Sequence, residues 1–454
     1  MAIGVLLLFV YVIFLFFIIE KIYKGDAFFL LLYIIFFIPF YSVFQLIILK
    51  TTQNIFLIEL IKYSKDFIIF SSFIVFVFGH ENSILKKKFK TTLLDKLVII
   101  FLVISIIYAV IPFGEASLFS KVVYLKNIIA IGIVYFFGRT SAISTRKFNF
   151  IKKSLIVILS LAFLVSSLEF LFGVHLHSIL DYASYNLLTN DIDPTGNFGL
   201  SWTFERGADH PRFASFFPNP LEYSANLLLF LTIPLFHLIN NSKNKASYFI
   251  LFFMVAISFY YAYSRASIVS AFIMVVLALI LNKNYKVLIN ATWVLILSFS
   301  FFYFSASDES IYFIIDTLSF RDSSSFSHLL EWIQASITVI DNPFGIGLAM
   351  SGNASSVDQA IKIGGENQFL IYGVQMGIIT MIIYIFMLFI AIKDSIYNYK
   401  ISQGSEKELS FIAGFTKFGL LIPLFTANAE IYLFTSLFSW FLIGHIQRLK
   451  SLKT

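Results

Sequence analysis

A glutamate and an asparagine stand at the start of a long apolar segment, in GGENQFLIYGVQMG (364–377). A carboxylate there can take a proton from a hydroxyl group, and it can equally favour the positive end of a helix dipole. Gly373 and Gly377 follow at a small-xxx-small spacing, which is typical of close helix packing in membranes. At about 100° per residue, Glu366 would share one helix face with both glycines. The residues therefore predict either a capped, glycine-packed helix or a carboxylate above a face with room for a substrate.

Three arginines are candidate functional residues, and for Arg265 the candidate role is phosphate binding. Arg212 lies just before an apolar segment, Arg265 lies between two such segments, and Arg321 lies in a polar loop. An arginine beside membrane spans is costly unless it snorkels, pairs or faces a cavity. The planar guanidinium group suits bidentate binding of a phosphate. For Arg265, a phosphate-binding role and simple snorkelling both remain open.

Other polar residues have structural explanations of their own. His175 and His177 are two residues apart with no helical register to a carboxylate, so a solvated loop is favoured over a metal site. Asn219, Pro220 and Glu222 have the spacing of a helix cap followed by a capping box. The chain has no cysteine, which excludes disulfides and thiolate metal sites, and we predict no metal site.

The elements that carry these residues are membrane-spanning helices. Hydrophobic residues make up 59% of the chain and charged residues 13%, against about 25% charged in ordinary soluble domains. About 20 apolar residues cross a bilayer as a helix, and the apolar runs here do not alternate as barrel strands would. The candidate spans are 2–19, 26–49, 58–79, 94–113, 122–138, 153–172, 217–239, 246–262, 266–282, 287–304, 367–392, 409–426 and 430–446. We therefore predict an all-α polytopic membrane protein, a single domain over 1–454 with about 12–13 transmembrane helices.

Basic residues predict the orientation of these spans. The loops 81–90 and 139–153 are rich in lysine and arginine, and such loops stay on the cytoplasmic side. Two long loops, 173–216 and 305–366, then lie outside. The second contains an apolar stripe at helical spacing near 328–341, which predicts an amphipathic helix at the outer interface.

One apolar stretch is too long for a single crossing. Residues 246–282 would form a helix of about 55 Å at 1.5 Å per residue, nearly twice the thickness of the bilayer core. Only YSR at 263–265 interrupts the apolar run. We expect two spans with a turn at Ser264–Arg265.

Four motifs in this order resemble the O-antigen ligase/polymerase superfamily of bacterial inner membranes. They are RFASFFPNP, YSRAS, WIQASITVIDNPFGIG and ENQFLIYGVQMG, within roughly residues 200–395. The resemblance implies a GT-C-like architecture and metal-independent glycan transfer from undecaprenyl pyrophosphate at the periplasmic face, without a cofactor. It also implies that Arg212, Arg265 and Arg321 bind the pyrophosphate. In the ligases the position of Glu366 is typically histidine, so the glutamate favours the polymerase branch.

The resemblance also suggests the other roles and partners. Glu366 would be the general base with Asn367 as its orienting neighbour, and His328 and Arg206 would lie on the acceptor side. The expected partners are the undecaprenyl-pyrophosphate-linked oligosaccharide, the lipid bilayer and a chain-length regulator of the same pathway, with no nucleic acid.

Two other functions are open. A ligase would use lipid A–core as its acceptor. A flippase would need internal repeats and charges inside its spans. No internal repeat is visible, and most spans lack charged residues, with Lys417 and Glu169 as the main exceptions. A structural scaffold would leave the long outer loops unexplained.

Overall fold

The computed structural model describes most of the chain. The described residues are 2–78, 90–190, 192–194, 196, 198–206, 210–240, 244–290, 292–293, 323–352 and 362–453. Over these residues the chain is nearly all helix, with one antiparallel pair of two-residue strands.

The helices follow the apolar runs of the sequence. Up to residue 190 they are α1 (Ala2–Tyr23), α2 (Phe28–Phe36), α3 (Tyr41–Thr52), α4 (Ile55–Phe78), α5 (Leu93–Val110), α6 (Leu118–Thr140), α7 (Thr145–Phe172), α8 (Leu176–Ile179) and α9 (Tyr182–Asn190). The strands are β1 (Glu205–Arg206) and β2 (His210–Pro211). The later helices are α10 (Pro220–Ile239), α11 (Lys245–Ala262), α12 (Arg265–Leu281), α13 (Ser323–Asp341), α14 (Gln368–Ile401), α15 (Gly404–Gly419), α16 (Leu421–Thr426) and α17 (Leu433–Lys453). Single 3-10 turns lie at Ile38–Phe40, Trp202–Phe204 and Ala429–Ile431, and residues 285–290 are also helical.

Among the described residues, nine helical segments are long and apolar enough to cross a membrane. They are α1, α2 with α3, α5, α6, α7, α10, α11, α14, and α15 with α16. The shorter α12 is also apolar, while α4 and α17 are 24 and 21 residues long. The predicted all-α polytopic membrane fold is confirmed. The number of 12–13 spans stays a prediction, because most of the predicted span 287–304 lies outside the described residues.

Helix α10 lies at the centre of the bundle. In α10, 89% of the membrane-length window is buried inside the protein, against 17% in α1. The exposed apolar side chains of α1 are suited to contact with lipid, because an apolar face carries no cost there. The segment before α10, which carries Arg212, therefore leads from the loop after α7 directly into the core.

The predicted cap of α10 is present, but the predicted capping box with Glu222 is not. Asn219 Oδ1 accepts a hydrogen bond from the backbone N–H of Glu222 at 2.8 Å, and Pro220 occupies the first turn. The Glu222 carboxylate accepts hydrogen bonds from the backbone N–H groups of Leu433 and Phe434. Glu222 thus also caps the start of α17, which joins two helices that are distant in sequence.

Candidate active site

The turn between α11 and α12 carries Arg265. Helix α11 ends at Ala262, Tyr263 adopts a left-handed conformation with φ of 48°, and Arg265 is the first residue of α12. The predicted break in the long apolar stretch is thus present. Arg265 Nη1 donates a hydrogen bond to Ser325 Oγ at 3.4 Å. The arginine therefore reaches across to the first turn of α13.

Backbone hydrogen bonds bring Arg212 to the same end of the bundle. The N–H of Arg212 donates to the carbonyl of Phe204 at 2.7 Å, and the N–H of Phe213 donates to the carbonyl of Tyr261 at 3.0 Å. Tyr261 lies in the last turn of α11, just before the turn that carries Arg265. Arg212 and Arg265, two of the predicted pyrophosphate-binding residues, therefore both lie next to the C-terminal end of α11.

Glu169, in the last turn of α7, fixes this arrangement. One of its carboxylate oxygens accepts the N–H of Leu176 and the other accepts the N–H of Ser215, both at 2.8 Å. A buried carboxylate with two such partners is well satisfied. Glu169 therefore ties two segments of the loop between α7 and α10 to α7, and Ser215 is only three residues from Arg212. The sequence signal was an acidic residue at the end of an apolar run, directly before a loop.

His328 and Glu366 are in contact. His328 lies on α13, and its Nδ1 meets Oε2 of Glu366, with the side chains 30% and 34% exposed. Ser325, the partner of Arg265, lies three residues earlier on α13, which is about one helical turn. The first half of α13 therefore brings together an arginine, an imidazole and a carboxylate that are far apart in sequence.

Glu331, one further turn along α13, is a member of this site that sequence reasoning missed. Burial raises the pKa of its carboxyl group, while the Lys362 ammonium and the N–H of Gly365 act in the opposite direction. One oxygen of Glu331 is buried without a hydrogen-bond partner among the described residues. Its i, i+3 spacing from His328 was the available sequence signal.

Asn367 caps α14. Its Oδ1 accepts hydrogen bonds from the backbone N–H groups of Phe369 at 3.0 Å and Leu370 at 3.1 Å. This is the side-chain geometry of an N-cap residue. Because α14 begins only at Gln368, Glu366 lies outside the helix in the loop that precedes it. By capping α14, Asn367 fixes the backbone position of the residue that follows Glu366.

The predicted single helix face that joins Glu366 to Gly373 and Gly377 is wrong. Glu366 precedes the helix, and Gly377 interrupts it with φ of 86° and ψ of 169°, so helical periodicity does not extend across the three residues. A Cβ atom on Gly377 would lie 2.5 Å from the carbonyl oxygen of Pro343, and one on Gly373 would lie 2.9 Å from Val339 of α13. Because Gly377 has no side chain, the NPFGIG turn can pack closely against α14. Gly373 allows the same close packing of α13.

The structure locates the other predicted residues less fully. Arg321 lies outside the described residues. The backbone of Arg206 lies on β1, paired with His210 on β2, and the structure does not describe the Arg206 side chain.

His175 and His177 are buried, so the expectation of a solvated loop is wrong for this pair. The ring of His175 packs against Phe198, Phe204 and Phe213, and the ring of His177 packs against Phe204 and Tyr182. Burial lowers the pKa of His175 to about 4 and that of His177 to about 3. Within the described part of the chain, no three His, Cys, Asp or Glu side chains are grouped to hold a metal ion.

The family comparison covers this end of the protein. A family model described as O-antigen ligase matches residues 249–385, a range that begins in α11 and ends in α14. It includes Arg265, the whole of α13 and Glu366. No curated protein matches the chain. The apolar helices make the chain a multi-pass membrane protein, and the match over residues 249–385 supports the O-antigen ligase/polymerase superfamily.

Proposed function

We propose that the protein is a polymerase of O-antigen or of a related surface polysaccharide, in the bacterial inner membrane with its site facing the periplasm. It transfers the growing glycan from undecaprenyl pyrophosphate to the non-reducing end of a new lipid-linked repeat unit. The superfamily supports glycosyl transfer in polysaccharide assembly. The observation that carries the proposal is the contact of Glu366 with His328, one helical turn from the contact of Arg265 with α13.

The chemistry needs a base at the attacking hydroxyl group. In this proposal Glu366 takes the proton of the acceptor hydroxyl as its oxygen bonds to the anomeric carbon. The bond from that carbon to the pyrophosphate oxygen breaks, and undecaprenyl pyrophosphate leaves with the bonding electrons. His328 contacts Oε2 of Glu366, so it holds the carboxylate in place while Oε1 faces the acceptor. This role replaces the direct acceptor contact predicted for His328.

The leaving group needs positive charge at a fixed place. Arg265 and Arg212 supply guanidinium groups that bind pyrophosphate through charge-assisted hydrogen bonds. Such groups stabilise charge that develops in the transition state without reorganising. We assign no role to Arg321 beyond the expectation from the resemblance, since it lies outside the described residues.

A ligase is the second candidate, and one contact favours it. The ligases typically have histidine at the position of Glu366, and here His328 brings an imidazole to that carboxylate from α13. A carboxylate that orients an imidazole is a common arrangement for a general base. In that case the glycan would be transferred to lipid A–core.

A gel of surface polysaccharide from a deletion strain separates these functions. A polymerase deletion leaves core carrying a single repeat unit. A ligase deletion leaves bare core while lipid-linked polymer accumulates, and a flippase deletion leaves bare core without polymer. We expect the first pattern, and either of the others would refute the polymerase.

A further inference from the structure

A cavity with a mixed apolar and polar lining lies beside the start of α14. It has a volume of about 180 Å³ and lies between α4, α6, the first turns of α14 and the segment that leads into α17. Its polar lining includes Asp66, Asn127, Gln368, Asn428 and Glu430. Gln368 is the first residue of α14 and lies only two residues after Glu366. The cavity is therefore adjacent in the chain to the proposed base.

Asn428 is the feature of this cavity that indicates a ligand. Its side chain is 2% exposed, and neither Nδ2 nor Oδ1 has a hydrogen-bond partner among the described residues. A buried amide without partners is unfavourable. Because Asn428 lines the cavity, its amide has one donor and one acceptor group available to an occupant.

Glu430, by contrast, is held rigidly in the wall. Its carboxylate accepts hydrogen bonds from Tyr384, Ser436 and Trp440, and Lys417 lies 3.4 Å from one oxygen. The backbone N–H of Glu430 donates to Gln368 Oε1 at 3.3 Å. This network fixes the segment that carries Asn428 against the start of α14.

The charged groups of the wall already have partners within the protein. Asp66 is paired with Lys126 at 2.6 Å, and Glu430 is paired with Lys417. The ammonium group of Lys65, which also lines the cavity, donates to the Tyr41 hydroxyl at 2.9 Å. The groups left for an occupant are side-chain amides, which can both donate to and accept from hydroxyl groups.

We propose that this cavity binds one sugar ring of the acceptor repeat unit and thereby presents its hydroxyl group to Glu366. This rests on the proposed function, because only a glycan-transferring enzyme needs such an acceptor. The volume corresponds to roughly six water molecules, which is the scale of one ring. Asn428, Asn127 and Gln368 supply the hydrogen bonds, and the ring is the determinant of acceptor specificity.

The test measures saccharide binding without catalysis. The probe is the repeat oligosaccharide freed from its lipid pyrophosphate by mild acid, titrated by calorimetry into the full-length protein in nanodiscs. We expect binding to the wild type and at least a 10-fold weaker Kd in Asn428→Leu. The matched control is Asn226→Leu, because Asn226 of α10 is also fully buried with both amide atoms unpartnered among the described residues, but does not line the cavity. Its Kd should stay within twofold of the wild type.

Size-exclusion elution and the thermal midpoint show whether each variant folds. If Asn428→Leu does not fold, Asn127→Leu takes its place, with at least a threefold weaker Kd expected. Absence of saccharide binding, a wild-type Kd in a folded cavity variant, or binding of inorganic pyrophosphate that depends on Asn428 would each overturn the proposal. Because the titration involves no transfer, its result is independent of the polysaccharide gel that tests the proposed function.

Discussion

Two carboxylates of this protein each face a basic side chain, and their settings differ sharply. Asp95 and Arg139 are both 1% exposed, whereas Glu366 and His328 are about a third exposed. Asp95 also accepts hydrogen bonds from the Tyr135 hydroxyl at 2.6 Å and from the backbone N–H of Thr92 at 2.7 Å. The first pair is therefore closed to any substrate.

The difference separates a pair that holds helices together from a pair that can react. Arg139 also donates to the carbonyl of Lys90 at 2.7 Å and to Ser451 Oγ at 3.0 Å. The Asp95–Arg139 pair thus connects α5 and α6 to the C-terminal helix α17. Glu366 lies in a loop before α14 and keeps part of its carboxylate accessible. Charge alone does not identify a reactive group, since accessibility and unused hydrogen-bonding capacity are also needed.

The largest expected effect comes from Glu366→Gln. The amide keeps the shape of the side chain but cannot take a proton, so we expect the polymer ladder of a complemented deletion strain to fall by about 100- to 10,000-fold. The protein should be inserted in normal amounts with an unchanged thermal midpoint. A full ladder from this variant would remove Glu366 from the reaction.

His328→Asn tests which member of the Glu366–His328 pair is the general base. If Glu366 is the base and His328 positions it, this variant keeps a measurable fraction of the wild-type rate and changes kcat more than the acceptor KM. If His328→Asn is instead as inactive as Glu366→Gln, the imidazole is the base and the ligase reading gains support.

The next effect is on stability and comes from Arg139→Ala. Removing one partner of a buried ion pair leaves an uncompensated charge and typically costs about 3–5 kcal/mol. We expect a lower thermal midpoint in detergent and less inserted protein, with the activity per folded molecule maintained. An unchanged midpoint would mean that the Asp95–Arg139 pair does not hold the helices as argued.

A smaller effect on stability follows from the buried histidines of the loop between α7 and α10. Burial keeps His175 and His177 neutral in the fold, because it lowers their pKa values to about 4 and 3 from an ordinary value of 6.5. Their contribution to stability is fully present above pH 6.5 and is lost as the pH falls below it, because the unfolded loop then binds more protons. At pH 5 the loss is about 2 kcal/mol per ring at most.

Hydrogen exchange over residues 175–190 measures this loss. After correction for intrinsic rates, we expect faster exchange at pH 5 than at pH 7.5 in the wild type. The double variant His175→Phe with His177→Phe should lose that dependence. Equal exchange of the wild-type loop at the two pH values would contradict the account.

The smallest expected effect is that of Arg265→Lys. Lysine keeps the positive charge but lacks the planar fork that binds two phosphate oxygens at once. We expect about a 10-fold lower kcat/KM for the lipid-linked donor and no change in insertion. A wild-type kcat/KM would show that Arg265 serves only to anchor α12 and α13.

The sequence predicted the parts of the fold that depend on local pattern. Apolar runs located the spans, a length argument placed the break before Arg265, and the spacing of Asn219 and Pro220 predicted the cap of α10. These features depend on residues near one another in the chain. They can therefore be derived without knowing how the helices pack.

The site was less predictable because it is made by tertiary packing. The contact of His328 with Glu366 joins a residue of α13 to a residue of the loop before α14, and the two have no periodic relation. Gly377 interrupts α14 because the NPFGIG turn packs against it. The helix face that was predicted to run through this glycine therefore does not form. The burial of His175 and His177 depends on aromatic rings from a later part of the same loop.

Turnover by the purified protein in proteoliposomes tests the central claim most directly. The undecaprenyl-pyrophosphate-linked repeat unit would be the only substrate, and glycan length and released undecaprenyl pyrophosphate would be measured together. We predict dimers and longer chains, with one undecaprenyl pyrophosphate released for each new glycosidic bond and no product from Glu366→Gln. Chain growth by Glu366→Gln at the wild-type rate, or glycan transfer by the wild type only after lipid A–core is added, would contradict the claim.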